Sequence, residues 1–88
     1  MGQQLVPLIN NIKDSQFEYQ IDGYTTYARY RLDKNILYID YVFAPPELRG
    51  TGAAGKLMEL LVQYAKEKHL DIIPICGYAA AWLSRHKK

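Results

Sequence analysis

Residues 49–55, with the sequence Arg-Gly-Thr-Gly-Ala-Ala-Gly, have types and spacing that suit the binding of an anion. Alternating apolar residues precede this stretch and an apolar pattern with helical period follows it, which predicts a glycine turn between a strand and a helix. The first N–H groups of a helix lack intrahelical acceptors, and the helix dipole is positive there. Glycine lets a ligand approach the backbone closely, and Arg49 adds a charge with several donors. The turn therefore predicts a site for a phosphate or pyrophosphate group.

Two common phosphate-binding motifs fit this turn poorly. A Walker loop needs a hydroxyl residue after its lysine, but Leu57 follows Lys56. Residues 50–55 match the spacing G-x-G-x-x-G of a dinucleotide-binding turn. In dinucleotide-binding proteins that turn opens the first βαβ unit and precedes an acidic residue at the end of the next strand. Here the turn lies halfway along the chain, and Asp71 begins the next predicted strand. Neither motif accounts for its position.

A third pattern fits better. Residues 49–54 match R/Q-x-x-G-x-G/A, and with residues 45–48 (Pro-Pro-Glu-Leu) they resemble the acetyl-coenzyme A signature of the GNAT acetyltransferases. Residues 74–78, Pro-Ile-Cys-Gly-Tyr, resemble the P-x-C-x-Y segment of a short, single-domain branch of that superfamily. The resemblance covers roughly residues 17 to 86 of the sequence.

The elements around the turn predict a mixed sheet. Residues 17–21 and 24–32 alternate in polarity on either side of an Asp-Gly hairpin signal, which predicts two antiparallel strands. The second of these strands carries Thr25, Tyr27, Arg29 and Arg31 on its wetter face. Residues 36–44 are apolar on nearly both faces, which is typical of a central strand that is covered on both sides.

Proline residues 45 and 46 end this third strand, since proline cannot donate to a strand ladder. The apolar stripe that follows predicts a helix over about 52–68, and residues 72–76 predict a buried strand parallel to the third strand. Residues 78–86 predict a last helix. The expected fold class is α/β (α+β), with antiparallel strands 1 to 3, a crossover helix after the glycine turn, a parallel strand 4 and a C-terminal helix, as in a minimal GNAT-like sheet.

Length and composition indicate one domain over residues 1–88, in which residues 1–16 form a poorly defined lead-in. The apolar fraction of 49% indicates a packed core, and a net charge of +2 gives no reason to expect nucleic acid or a membrane as a partner. One cysteine and two scattered histidines make neither a disulfide within the chain nor a zinc site, so no metal is expected. The sequence has no signal-peptide pattern, and we expect a cytoplasmic protein.

Ligands of open α/β sheets bind outside the carboxyl ends of parallel strands. Strands 3 and 4 are predicted to be parallel, and the turn connects them through its helix. Ala44, the turn, Cys76 and Tyr78 should therefore converge on one crevice. This expectation depends on topology alone.

The resemblance implies which ligand occupies this crevice. In GNAT proteins, acetyl-coenzyme A is the cosubstrate, and the backbone of the turn holds its pyrophosphate. The motif match assigns that role to Arg49, Gly50, Thr51, Gly52, Ala53 and Ala54. The pantetheine arm would pair, like an added strand, with the backbone of Val42, Phe43 and Ala44.

The resemblance also suggests catalytic residues. Tyr78 is the candidate general acid, although a tyrosine at this point is also a common core residue. Cys76 could accept the acetyl group as a thiolate or merely line the thioester pocket, whereas a lone cysteine among apolar residues is more often inert. Some relatives carry a glutamate base where Tyr38 stands here, so Asp40 is the candidate general base; it could equally pair with an arginine of a neighbouring strand.

The expected function is acetyl transfer from acetyl-coenzyme A to the amine of an unidentified small molecule or protein. A coenzyme A-binding module or sensor without catalysis is the alternative. A third interpretation is a nucleic-acid-binding domain that uses the eight tyrosines with Arg29 and Arg31. The short branch lacks the N-terminal helices of larger GNAT enzymes, so the acceptor side is expected to be open or completed by a homo-oligomer or another partner.

Overall fold

The computed structural model describes residues 8–86. Its elements follow the predicted order, with one additional short strand at the start and a 3-10 turn (Pro46–Leu48) before the glycine turn. The strands and helices are β1 (Ile9–Asn11), β2 (Gln16–Ile21), β3 (Tyr24–Asp33), β4 (Ile36–Phe43), α1 (Ala53–Glu67), β5 (Asp71–Pro74) and α2 (Gly77–Arg85).

The strands form one sheet in the order β1-β2-β3-β4-β5. The first four strands are antiparallel to their neighbours, and β5 pairs in parallel with β4 from Ile36↔Asp71 to Ile39↔Pro74. This topology confirms the predicted fold class, including the helical crossover that makes the last strand parallel. The first seven residues of the predicted lead-in lie outside the described residues, and β1 occupies part of the remainder.

Both helices pack on the same face of the sheet. The buried side chains of α1 (Leu57, Met58, Leu61 and Ala65) join one hydrophobic cluster with Phe17, Ala28, Leu37 and Ile39 of the strands and with Ala79 and Trp82 of α2. Burial of this continuous apolar surface is the main favourable term for the fold. The apolar stripe from which α1 was predicted therefore packs in the hydrophobic core.

A β-bulge interrupts β4 at Asp40. Arg29 of β3 pairs with Tyr41, whereas the next residue, Tyr30, pairs with Ile39, so Asp40 has no register partner on β3. An extra residue on one strand reverses the alternation of side chains beyond it. Strict alternation along the strand would predict that Tyr41 and Phe43 share a face with Leu37 and Ile39, and this prediction is wrong: Val42 is the residue that packs against the core cluster.

The other face of the sheet is covered by neither helix. We call it the open face; its residues around the bulge are Tyr27, Arg29, Arg31, Tyr38, Asp40, Tyr41 and Phe43. Tyr41 retains 49% of its accessible surface, so β4 is central in the sheet but not covered on both sides as its apolar sequence suggested. No helix among residues 8–86 is both long and apolar enough to cross a membrane.

Candidate functional site

Strands β4 and β5 separate beyond Ile39. The backbone N–H groups of Ile75 and Cys76 both donate to the Ile39 carbonyl, at 2.9 and 3.0 Å, and the pairing of the two strands ends there. Strand β4 continues to Phe43 with β3 on its other side. Within residues 8–86, no strand pairs with the β5 side of β4 past Ile39, so a wedge-shaped opening lies at the carboxyl ends of the parallel pair.

The glycine turn lies at the mouth of this opening and leads into α1. Gly50 and Gly52 have φ angles of +82° and +87°, a conformation that other L-residues adopt only with strain. Nothing lies within 4 Å of the position that a β-carbon would take at either glycine. The space beside the two glycines is therefore open for a ligand to approach the backbone.

The hydroxyl of Thr51 stabilises the turn internally. It donates to the Leu48 carbonyl at 2.5 Å and accepts from the Ala53 N–H at 3.2 Å. In contrast, the N–H groups of Gly52, Ala54 and Gly55 have no acceptor among residues 8–86. These donors are at the positive end of the 15-residue helix α1, where an anion is favoured.

Arg49 connects the turn to the end of β4. Its Nε atom donates to the Ala44 carbonyl at 3.0 Å, and the side chain is exposed. This bond uses one of the five guanidinium donors and aligns the group with the mouth of the opening. Among residues 8–86, Arg49 is the single charged residue in the lining of the cavity described next.

A cavity of about 380 Å³ occupies the space between the end of β4, the turn and the first turn of α2. It brings together eight of the nine predicted cofactor residues and leaves out Thr51, whose hydroxyl is engaged with Leu48 and Ala53. The lining residues are Tyr41, Val42, Phe43, Ala44, Leu48, Arg49, Gly50, Gly52, Ala53, Ala54, Gly55 and Tyr78.

The three predicted catalytic residues occupy different surroundings. Tyr78 lines the cavity and retains 39% of its accessible surface. Cys76 precedes the first residue of α2, is half-buried against the core cluster and does not line the cavity. Asp40 also lies outside the lining, on the bulge of β4.

The carboxylate of Asp40 is bound by an arginine. Arg31 of β3 donates to its two oxygens from Nε at 2.8 Å and from a terminal nitrogen at 3.0 Å. These hydrogen bonds hold the pKa of Asp40 below its ordinary value, which favours the charged carboxylate and weakens it as a base. The described part of the chain contributes neither an acidic residue nor a histidine to the lining.

Gly55 positions Tyr78 through α2. A β-carbon at Gly55 would lie 3.4 Å from Nε1 of Trp82 and 3.9 Å from the hydroxyl oxygen of Tyr78. The third glycine of the G-x-G-x-x-G spacing thus serves the close approach of two helices. Three lining residues, Tyr41, Leu48 and Gly55, are not among those predicted from the sequence. For Gly55, the available signal was the presence of a glycine within an apolar helical stripe.

Among the residues that the structure describes, no group of three or more His, Cys, Asp or Glu side chains could hold a metal ion. The site consists of backbone donors, small side chains, one arginine and aromatic rings. Such a set suits an extended ligand that has a phosphate at one end and a neutral, apolar arm at the other.

Comparison with known proteins identifies relatives of this chain. The sequence model of the family described as GCN5-related N-acetyl-transferase matches residues 16–88. The solution NMR structure of a GCN5-like protein from Staphylococcus aureus, provisionally classed as an N-acetyltransferase, is similar to this chain. The two are 27% identical with a TM-score of 0.68, and the match covers 97% of this chain and 82% of the other. No curated protein matches the chain.

Proposed function

Because this chain belongs to the GCN5-related N-acetyltransferase family, we propose that it transfers the acetyl group of acetyl-coenzyme A to an amine. The observation that carries the proposal is the cavity in which the free edge of β4 meets the N–H groups of the glycine turn. One end of this cavity suits a pyrophosphate, and the other suits an extended arm that needs backbone partners.

In this proposal, the pyrophosphate lies on the turn. The N–H groups of Gly52, Ala54 and Gly55 donate to its oxygens, and Arg49 contributes charge from the rim. The pantetheine arm then runs along Val42, Phe43 and Ala44 and pairs with β4 as β5 does before Ile39. This seating directs the thioester towards the point where the two strands separate.

The chemical step needs few side chains. The amine nitrogen, once deprotonated, attacks the thioester carbonyl carbon; a C–N bond forms and the C–S bond breaks. Tyr78 donates its hydroxyl proton to the departing sulfur, the nitrogen of the new amide loses its extra proton to water, and solvent returns a proton to the Tyr78 oxygen. Of the two tyrosines in the described part of the lining, Tyr41 and Tyr78, we assign the acid to Tyr78, which lies in the first turn of α2 just after the point where β4 and β5 separate.

We assign structural roles to the other two catalytic candidates. Asp40 neutralises Arg31 on the open face, and its bound carboxylate is poorly placed to deprotonate an amine. Cys76 adjoins the point of strand separation but packs against the core, which favours direct transfer over an acetylated cysteine. Both assignments predict that the residue can be replaced without abolishing turnover.

Calorimetric titration with acetyl-coenzyme A and with coenzyme A, followed by thiol-release assays across a panel of amines, tests the proposal. We expect both ligands to bind and thiol release to depend on the amine. If neither ligand binds at millimolar concentration, the proposal is overturned. Tight binding without amine-dependent release would instead assign the chain as a coenzyme A-binding module. Intact mass measurement of the protein and of Cys76→Ala, each incubated with acetyl-coenzyme A, reports whether the cysteine becomes acetylated.

A further inference from the structure

The cavity can be reached from the open face of the sheet. Val42 packs on the helix side of β4, whereas the bulge turns Tyr41 and Phe43 to the open face, and all three residues line the cavity. A ligand on the open face next to Tyr41 is therefore adjacent to the same end of β4 as a ligand in the cavity. Neither helix blocks this approach.

Aromatic rings form the surface beside this entrance. Tyr27 stacks on Phe43 with ring centres 5.2 Å apart and lies 6.3 Å from the ring of Tyr41. Packing of the rings against one another favours these positions before any ligand arrives. An acceptor molecule can lie on this surface with its amine directed towards the cavity.

Arg29 stands at the edge of the aromatic surface. It is the register partner of Tyr41, and its guanidinium lies 5.8 Å from the ring centre of Tyr27. Its side chain is exposed and makes no salt bridge within residues 8–86. A guanidinium held over a ring keeps its fork of donors available for a carboxylate.

The neighbouring charges do not satisfy Arg29. Asp40 is bound by Arg31, so that pair contributes no net charge to the open face. Glu18 lies opposite Tyr27, and its carboxylate accepts hydrogen bonds from Gln16 at 2.6 Å and Asn11 at 3.0 Å. Within residues 8–86, Arg29 is thus a cation of the open face that has no carboxylate partner.

We propose that the acceptor is a small amine that also carries a carboxylate, such as a free amino acid, and that Arg29 binds this carboxylate on the open face. The inference rests on the proposed acetyl transfer and specifies its substrate class. The rings of Tyr27 and Tyr41 support the body of the acceptor between the carboxylate and the amine. Arg29 is a specificity-determining residue in this arrangement and takes no part in the bond changes.

Acetylation rates for amino acids and for their amides, which lack the carboxylate, test the assignment. We expect kcat/KM to be about tenfold or more higher for the acid than for its amide, the range of one charged hydrogen-bonded contact. Arg29→Gln should remove this preference by raising KM for the acid, and Arg29→Lys should restore part of it. Arg31→Gln removes one charge from the same face and should keep the ratio of acid to amide.

Equal rates for acids and amides, or loss of the preference in Arg31→Gln as well, would overturn the inference. Absence of turnover with every amino acid, in a protein that binds acetyl-coenzyme A, would overturn this substrate class and leave the proposed function intact. NMR titration with N-acetylglycine and N-acetylglycinamide gives a readout that needs no turnover. The Nε–H signal of Arg29 should move with the acid alone; equal or absent shifts contradict the inference, whether or not coenzyme A binds.

Discussion

Gly55 of α1 and Trp82 of α2 meet where the two helices cross: a β-carbon on the glycine would lie 3.4 Å from Nε1 of the tryptophan. This separation is at the tight end of ordinary contact, so the indole of Trp82 packs directly over the backbone of α1 at the position that lacks a side chain. The same contact brings the hydroxyl of Tyr78 to the wall of the cavity. The packing of the core therefore determines the position of a proposed catalytic group.

Gly55→Ala tests this coupling. Replacement of glycine by alanine in a helix favours folding by up to about 1 kcal/mol, and the tight contact with Trp82 opposes that gain. We expect thermal stability to change little, while kcat falls several-fold because Tyr78 moves with α2. Gly77→Ala is the matched stability control, since nothing lies within 4 Å of a β-carbon there. Unchanged kcat in Gly55→Ala would show that the position of Tyr78 does not depend on this contact.

Gly52→Ala should weaken binding of coenzyme A. A non-glycine residue with this positive φ costs about 1–2 kcal/mol, and the methyl group would enter the space in front of the turn N–H groups. Gly23→Ala provides the control, because Gly23 has a similar φ of +82° and open surroundings but lies in the β2–β3 hairpin. Calorimetry should show similar destabilisation in both variants and loss of affinity in Gly52→Ala alone.

Tyr78→Phe should lower kcat and leave the affinity for acetyl-coenzyme A unchanged. The hydroxyl supplies a proton only as the thiolate leaves, and general acid catalysis contributes about 10²–10⁴-fold. Tyr24→Phe is the comparison, since Tyr24 is similarly exposed, at 41%, but does not line the cavity. Equal kcat in the two variants would remove Tyr78 from the mechanism.

Cys76→Ala should keep most of the acetyl transfer activity. The side chain lies outside the cavity lining and packs against the core, so its loss removes apolar contact more than chemistry. Stability should fall slightly, by about 1 kcal/mol, as for loss of a small, half-buried group. Steady-state kinetics and thermal unfolding check the two effects separately. Abolished turnover in a folded variant would establish an essential thiol.

The Arg31–Asp40 pair should give stability a pH dependence at the acidic end. Because Arg31 lowers the pKa of Asp40 in the folded protein, the pair stabilises the fold above the unfolded value of about 3.9 and loses this effect as the pH falls through the lower folded value. Thermal unfolding of Asp40→Asn should differ from that of the unaltered protein at pH 7 and converge with it as the pH falls below the lowered folded pKa of Asp40.

High salt should reduce this difference, since the pair is exposed to solvent. Asp33→Asn is the control, because Asp33 is exposed on the same strand as Arg31 and makes no salt bridge within residues 8–86. A difference between Asp40→Asn and the unaltered protein that does not decrease as the pH falls through the acidic range would mean that Asp40 stabilises the bulge by its shape and not by its charge.

Sequence reasoning predicted the features that depend on local chemistry. Proline residues after an apolar strand and glycines before a helical stripe determine the strand–turn–helix unit, and the helical crossover then places the ends of β4 and β5 side by side. For this reason a site at the strand ends could be predicted, and eight of the nine residues predicted to bind the cofactor line one cavity.

The features that could not be predicted depend on contacts between distant residues. Strand β4 is apolar on both faces, so its sequence does not reveal that Asp40 is an extra residue in the ladder. Strand β1 has three residues, and distant side chains support it: Asn10 accepts a hydrogen bond from Tyr30 and donates one to Tyr64. The contact between Gly55 and Trp82 likewise joins residues that are 27 positions apart in the sequence.

The separation of β4 from β5 also has a consequence for the protein in its empty state. The backbone of β4 beyond Ile39 is an exposed sheet edge, bordered by the apolar side chains of Val42 and Phe43. Such an edge can recruit strands from other molecules and start aggregation. A ligand that pairs with this edge covers its free N–H and C=O groups. The rate of aggregation in concentrated solution should therefore fall as the occupancy of the cavity rises.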